Sequence, residues 1–140
     1  MIPARSGNII STGSVCSYIG GGETHAYTCS KHAIVGLTKY AAVELGQFRI
    51  RVNCLSPYLL ATPLANNFAR LDHDGLENLA NLNSNLKHVT LKAEDVANAA
   101  LYLESDEGRH VSGHNLLIDG GFSIVYPSTC FSTQNKIENE

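Results

Sequence analysis

Apolar positions along the chain switch between strand-like runs and helical spacing. From about Asn8 to Thr12 a short apolar run reads as a buried strand that ends near Ser14. From Ala26 to Leu45, Ala33, Ile34, Leu37, Ala41 and Leu45 recur at helical spacing, and Thr24 precedes them as a candidate N-cap. Gln47-Phe48-Arg49 makes a turn, and Ile50 to Leu55 forms a second strand that Pro57 stops. Residues 63–89 carry Leu64, Phe68 and Leu71, then Leu76 and Leu79, at helical spacing behind Thr62, which is placed to cap them. Glu94 to Leu103 is amphipathic, with Val96, Ala99, Ala100 and Leu103 on one face. Gly108 and Gly113 punctuate the way to a last strand, Asn115 to Asp119, closed by Gly120-Gly121.

The predicted order is strand, helix, strand, helical segment, helix, strand. Strands separated by helices pair in parallel through right-handed crossovers. The expected fold is therefore α/β: one βαβαβ half of a doubly wound, Rossmann-type parallel sheet, with three strands and flanking helices. A length of 140 residues suits one such unit, assigned to residues 1–125. From Tyr126 to Glu140 the periodicity dissolves into a polar tail, expected to be mobile or an oligomer arm.

Composition narrows the function classes. A hydrophobic fraction of 44% and a charged fraction of 16% are those of a globular domain and not of a disordered chain. The net charge of −3, with no basic run, argues against nucleic acid as a partner. No apolar run approaches the roughly 18 residues of a membrane span, and MIPARSGNII lacks the apolar stretch of a secretory signal. Cys16, Cys29, Cys54 and Cys130 show no C-x-x-C spacing, which fits a reducing, cytoplasmic setting. Asp72-His73-Asp74 are adjacent in a solvated turn and converge poorly on one ion. His110 and His114 are separated by the helix-breaking Ser112-Gly113, so no metal site is expected. Gly20-Gly21-Gly22 lacks G-x-G-x-x-G order and reads as a flexible lip.

One stretch carries chemistry: Ser14, then twelve residues, then Tyr27-x-x-x-Lys31. Tyr27 and Lys31 are i and i+4 on one helix face, with Cβ atoms about 5–6 Å apart. Ser14 stands at the C-terminal end of the preceding strand, the edge where open α/β sheets bind ligands. A free phenol ionises near pH 10, but an ammonium about 5 Å away favours phenolate by roughly 3 kcal/mol at an effective dielectric of about 20. Such a phenol can pass a proton to or from a substrate oxygen, and a neighbouring hydroxyl can hold that oxygen in place. A Tyr and a Lys four apart are more often a packed ring beside a solvated amine. What favours chemistry here is the strand, loop and helix around them.

These residues resemble the active site of the short-chain dehydrogenase/reductase superfamily. HAYTCSKHAIVGLTKYAAVELGQ, IRVNCLSPYLLATPL and SGHNLLIDGGF are similar to the branch that contains secoisolariciresinol dehydrogenase, xanthoxin dehydrogenase and momilactone A synthase. The resemblance runs from about Arg5 to about Ser123 and covers the C-terminal half of that family's fold. It implies an oxidoreductase interconverting a secondary alcohol or lactol and a carbonyl, with Ser14, Tyr27 and Lys31 catalytic. It further implies a nicotinamide cofactor, NAD with NADP not excluded, held by Tyr27, Lys31, the Leu60 backbone and the Thr62 hydroxyl. The implied partners are a small alcohol or ketone and a second subunit, either a copy of this chain or a full-length relative.

Two departures accompany the resemblance. The family usually has Gly at Arg49, where a helix ends in a left-handed residue, and Gly where Tyr58 stands. The chain also lacks the first strand and Gly-rich turn that hold a pyrophosphate, the ribose-reading acid and a further catalytic Asn. A second expectation therefore stands beside the enzyme: a truncated, non-catalytic remnant that associates with full-length relatives.

Overall fold

The computed structural model describes residues 1–20 and 22–125, and the tail expected at 126–140 lies outside them. Strands β1 (Gly7–Thr12), β2 (Ile50–Pro57) and β3 (Asn115–Ile118) form one parallel sheet in the order β1-β2-β3. Helix α1 (His25–Gly46) joins β1 to β2, and α2 (Pro63–Ala69), α3 (His73–Asn83) and α4 (Ala93–Glu104) lie between β2 and β3. The α/β order expected from the apolar pattern is the order found.

Strand β2 is central, with both edges paired and α1 and α4 packed against it, and Val52, Asn53, Cys54, Leu55 and Ser56 are all buried. It runs two residues further than its apolar pattern indicates. The reason is its second neighbour: β1 pairs with Ile50 through Leu55, whereas β3 pairs with Cys54 through Pro57. Two polar side chains in its N-terminal half fasten it to neighbouring backbone. Arg51 donates to the carbonyls of Leu103 and Glu104, the latter at 3.1 Å, and so places a cation at the carbonyl end of α4. Asn53 donates to Val111 O at 2.9 Å and accepts from His114 N at 3.1 Å.

Helix α1 corrects one expectation. Its inward face is Tyr27, Lys31, Ile34, Thr38, Ala41 and Leu45, with Thr38 fully buried, while Ala33 and Leu37 point outward. Apolar residues occupy both sides of this helix, so their spacing alone cannot say which side meets the sheet. The outward side carries Cys29, Ala33, Leu37, Tyr40 and Val43, all exposed.

The segment 63–89 resolves into two helices. Asp72 is exposed in the turn between α2 and α3, and its carboxylate caps α3 by accepting from Gly75 N at 2.9 Å. Glu77 then ties α3 to the start of α4, accepting from Lys92 and lying 3.1 Å from His73. The hydrogen bond from Lys92 holds the Glu77 carboxyl below its ordinary value. In α4, Val96, Ala99, Ala100 and Leu103 face inward as the pattern predicts.

Arg49 closes the turn after α1 with φ of 59°, the left-handed region that favours glycine. A side chain there costs about 1 kcal/mol, and the Arg49 side chain is exposed. Arg49→Gly is therefore expected to raise stability by about that amount, read as a higher urea midpoint at unchanged slope. A lower midpoint would mean that the arginine makes a compensating contact.

Candidate active site

The site begins where β1 ends. Gly13 N donates to Leu55 O at 2.7 Å, which continues the β1–β2 pairing by one residue. The chain then enters a 3-10 turn, Val15–Ser17, whose residues are all buried, with Ser14 as its cap. The Ser14 hydroxyl accepts from Cys16 N at 3.2 Å, and the Ser14 carbonyl accepts from Ser17 N at 2.8 Å. A hydroxyl that accepts from the backbone keeps its own proton available for another oxygen.

Tyr27 and Lys31 lie half-buried in the first turns of α1, which Thr24 caps by accepting from Tyr27 N at 3.4 Å. The Lys31 ammonium is 5.4 Å from the centre of the Tyr27 ring, within cation–π range. It also donates to Thr12 O at 3.1 Å. Lys31 thus links the phenol-bearing helix to the strand end two residues before Ser14. Among the described residues no hydrogen bond joins the Ser14 and Tyr27 side chains directly.

Leu60 and Thr62 follow β2 beyond its last residue. Since Thr12 pairs with Leu55 in a parallel register, they emerge at the same edge of the sheet as Ser14. The Thr62 oxygen accepts from Ala65 N at 3.2 Å and caps α2, so its proton too is left to donate. The capping role expected for Thr62 is therefore present.

Two features escaped the reading of the sequence. A cavity of about 250 Å³ opens beyond the ends of β2 and β3, walled by Tyr58, Leu59, Ala80, Leu86, Val89 and Ile118. It includes none of Ser14, Tyr27 or Lys31. Tyr58 stacks on Phe122 with centroids 4.3 Å apart, and burial pushes its phenol above the ordinary value. The signal was Tyr58 itself, a large aromatic directly after a strand-ending proline. The second feature is a ring of polar side chains, Ser17, Ser56 and Asn115, beneath the Ser14 turn. No spacing rule joins residues this far apart in sequence. No group of His, Cys, Asp and Glu that could hold a metal ion occurs among the described residues, and no helix there is long and apolar enough to cross a membrane.

A parallel α/β sheet with hydroxyl, phenol and ammonium gathered at its carboxyl edge defines a Rossmann-type protein. Comparison with known proteins makes the assignment specific. The family model described as enoyl-(acyl carrier protein) reductase matches residues 1–123. The chain belongs to the short-chain dehydrogenase/reductase family. It is 62% identical to secoisolariciresinol dehydrogenase of Forsythia intermedia over 89% of its own length and 45% of the relative's. Momilactone A synthase of Oryza sativa subsp. japonica is 53% identical over 94% of this chain and 48% of the relative. Xanthoxin dehydrogenase of Arabidopsis thaliana is 50% identical over 89% and 46%. Among solved structures, levodione reductase superposes with a TM-score of 0.79 at 30% identity, covering 90% of this chain and 50% of that one. 4-Hydroxyisoleucine dehydrogenase complexed with NADH gives 0.73 at 32% identity, covering 89% and 50%. The chain spans about half the length of the curated relatives it matches.

Proposed function

We propose that this chain supplies the proton-relay half of a nicotinamide-dependent oxidoreductase that interconverts a secondary alcohol or lactol with a carbonyl. The observation that carries the reading is the Lys31 ammonium, set 5.4 Å from the Tyr27 ring and bonded to the strand end beside Ser14. In alcohol oxidation the Tyr27 oxygen takes the substrate's hydroxyl proton, and in carbonyl reduction it returns one. Ser14 directs its free proton to the same substrate oxygen and holds it in line. Lys31 keeps a positive charge beside the phenol and keeps the phenol's helix on the strand.

The donor set fits one end of a dinucleotide. The Lys31 ammonium, the Thr62 hydroxyl proton and the Leu60 backbone suit the carboxamide and ribose of a nicotinamide nucleoside. When bound, that group supplies the hydride acceptor or donor. NAD is the proposed cofactor, with NADP open. The glycine run before α1 lacks the G-x-G-x-x-G order of a pyrophosphate turn, so a complementary sheet half is needed for the full cofactor.

Lys31→Met tests the relay. In a chimera joined to the remaining half of secoisolariciresinol dehydrogenase, it is expected to lower turnover about a hundredfold, the scale of one acid–base contribution. Turnover within a few-fold of the unsubstituted chimera would make Lys31 a solvated amine and remove the basis of the reading.

A further inference from the structure

We propose that Asn115, on β3, is a positioning residue for the Ser14 hydroxyl, acting through a closed ring of hydrogen bonds with Ser17 and Ser56. The inference rests on the proposed role of Ser14 but concerns side chains that touch no reacting atom.

Three distances define the ring. Ser56 Oγ donates to Asn115 Oδ1 at 2.6 Å, Asn115 Nδ2 donates to Ser17 Oγ at 3.1 Å, and the two serine oxygens are 3.0 Å apart. Proton counting sets the direction of the last bond. An amide oxygen only accepts, so the single Ser56 proton goes to Asn115, and Ser56 must accept from Ser17. Each hydroxyl then donates once and accepts once, and neither hydroxyl proton is left over. Ser17 and Ser56 are buried at 7% and 0% exposure, where an unmatched hydroxyl would be costly. The residues come from separate elements: the turn after β1, the central strand and the last strand.

The ring bears on Ser14 from both sides. Ser17 closes the 3-10 turn that Ser14 opens, and its amide donates to the Ser14 carbonyl. On the other side, Gly13 passes so close to Ser56 that a methyl group there would lie 2.5 Å from the Ser56 hydroxyl. The Ser14 turn is therefore pressed against Ser56 before the residue and bonded to it after. Asn115 fixes which way the Ser56 and Ser17 hydroxyls point, and through Ser17 it fixes the turn that holds the Ser14 oxygen on Cys16 N.

Asn115→Asp separates this role from mere packing, because its protonation state decides whether the ring can close. A carboxylate accepts from both serines and leaves the two serine oxygens facing one another without a proton between them. A protonated carboxyl donates to Ser17, accepts from Ser56 and restores the ring. Burial favours the neutral carboxyl and the two serine donors favour the carboxylate, and the ring closes only below the carboxyl's folded value. The restored contact is present at low pH and lost as pH rises through that folded value.

The measurement is amide hydrogen exchange by NMR on the full 140-residue chain carrying Tyr40→Lys and Val43→Glu to keep it monomeric, referenced to the same background with Asn115 intact at the same pH. Near pH 7.5, Cys16 and Ser17 amides of the variant are expected to lose about tenfold in protection, and near pH 3.5 to recover it, while Leu103 in α4 stays unchanged. Protection equal to that reference at both pH values would overturn the proposal. So would a loss shared by α4 and independent of pH. Should Asn115→Asp not fold, Ser17→Ala decides: faster exchange confined to Gly13, Cys16 and Ser17 supports the ring, and unchanged exchange there refutes it. The readout needs neither cofactor nor turnover, so it fails or stands separately from the oxidoreductase reading.

Discussion

Tyr27→Phe, in the chain joined to the remaining half of a relative, is expected to lower turnover by about a hundred- to ten-thousand-fold with the fold intact. The substitution removes one oxygen and keeps the ring. That ring still lies on the inward face of α1 and still meets the Lys31 ammonium, so packing and the Lys31 bond to Thr12 O survive. What disappears is the phenol oxygen proposed to exchange a proton with the substrate oxygen. Ser14→Ala is expected to do nearly as much, since it takes away the donor that aligns that oxygen. The two losses should not add, because both act on one proton transfer. Oxidation of a cyclic secondary alcohol or a lactol with NAD, followed as NADH absorbance, measures both. A Tyr27→Phe chimera that keeps a near-native rate would show that the proton moves by another route.

The 140-residue chain by itself is expected to self-associate and to bind NADH more weakly than about millimolar. Two surfaces drive the association. The outer edge of β1 bears no partner strand among the described residues, and an open edge with apolar Ile9 and Ile10 templates pairing. The outward side of α1 exposes Leu37, Tyr40 and Val43 at 59%, 71% and 84% in one stripe. Of a dinucleotide's features, the proposed donors Lys31, Leu60 and Thr62 suit only the nicotinamide end. Size-exclusion chromatography with light scattering should show species above monomer mass, and Tyr40→Lys with Val43→Glu should move them towards monomer. Calorimetric titration with NADH should give no measurable heat. A well-behaved monomer binding NADH at micromolar concentration would show that these residues form a complete nucleotide site.

The same sheet edge explains which parts of this protein are legible in its residues. The strands and helices were, because each rests on local chemistry: the run of Ile9 and Ile10, the Thr24 and Thr62 oxygens available as caps, and the four-residue face of α4. Tyr27 and Lys31 were legible for a similar reason, since a helix brings i and i+4 together whatever surrounds it. Arg49 in a left-handed turn was visible as a residue standing where the backbone favours glycine.

The rest depended on contacts made across the fold. The inward side of α1 was decided by the sheet beneath it, because apolar residues line both sides of that helix and only packing distinguishes them. Strand β2 gained Ser56 and Pro57 from its offset pairing with β3, a neighbour about sixty positions away in sequence. The ring of Ser17, Ser56 and Asn115 had no signature at all. A serine and an asparagine acquire a fixed direction of hydrogen bonding only when folding removes water and leaves each proton a single acceptor. Local periodicity and side-chain chemistry thus determined the elements and the pairing of Tyr27 with Lys31. Burial and register decided which way those elements face and what holds Ser14 in place.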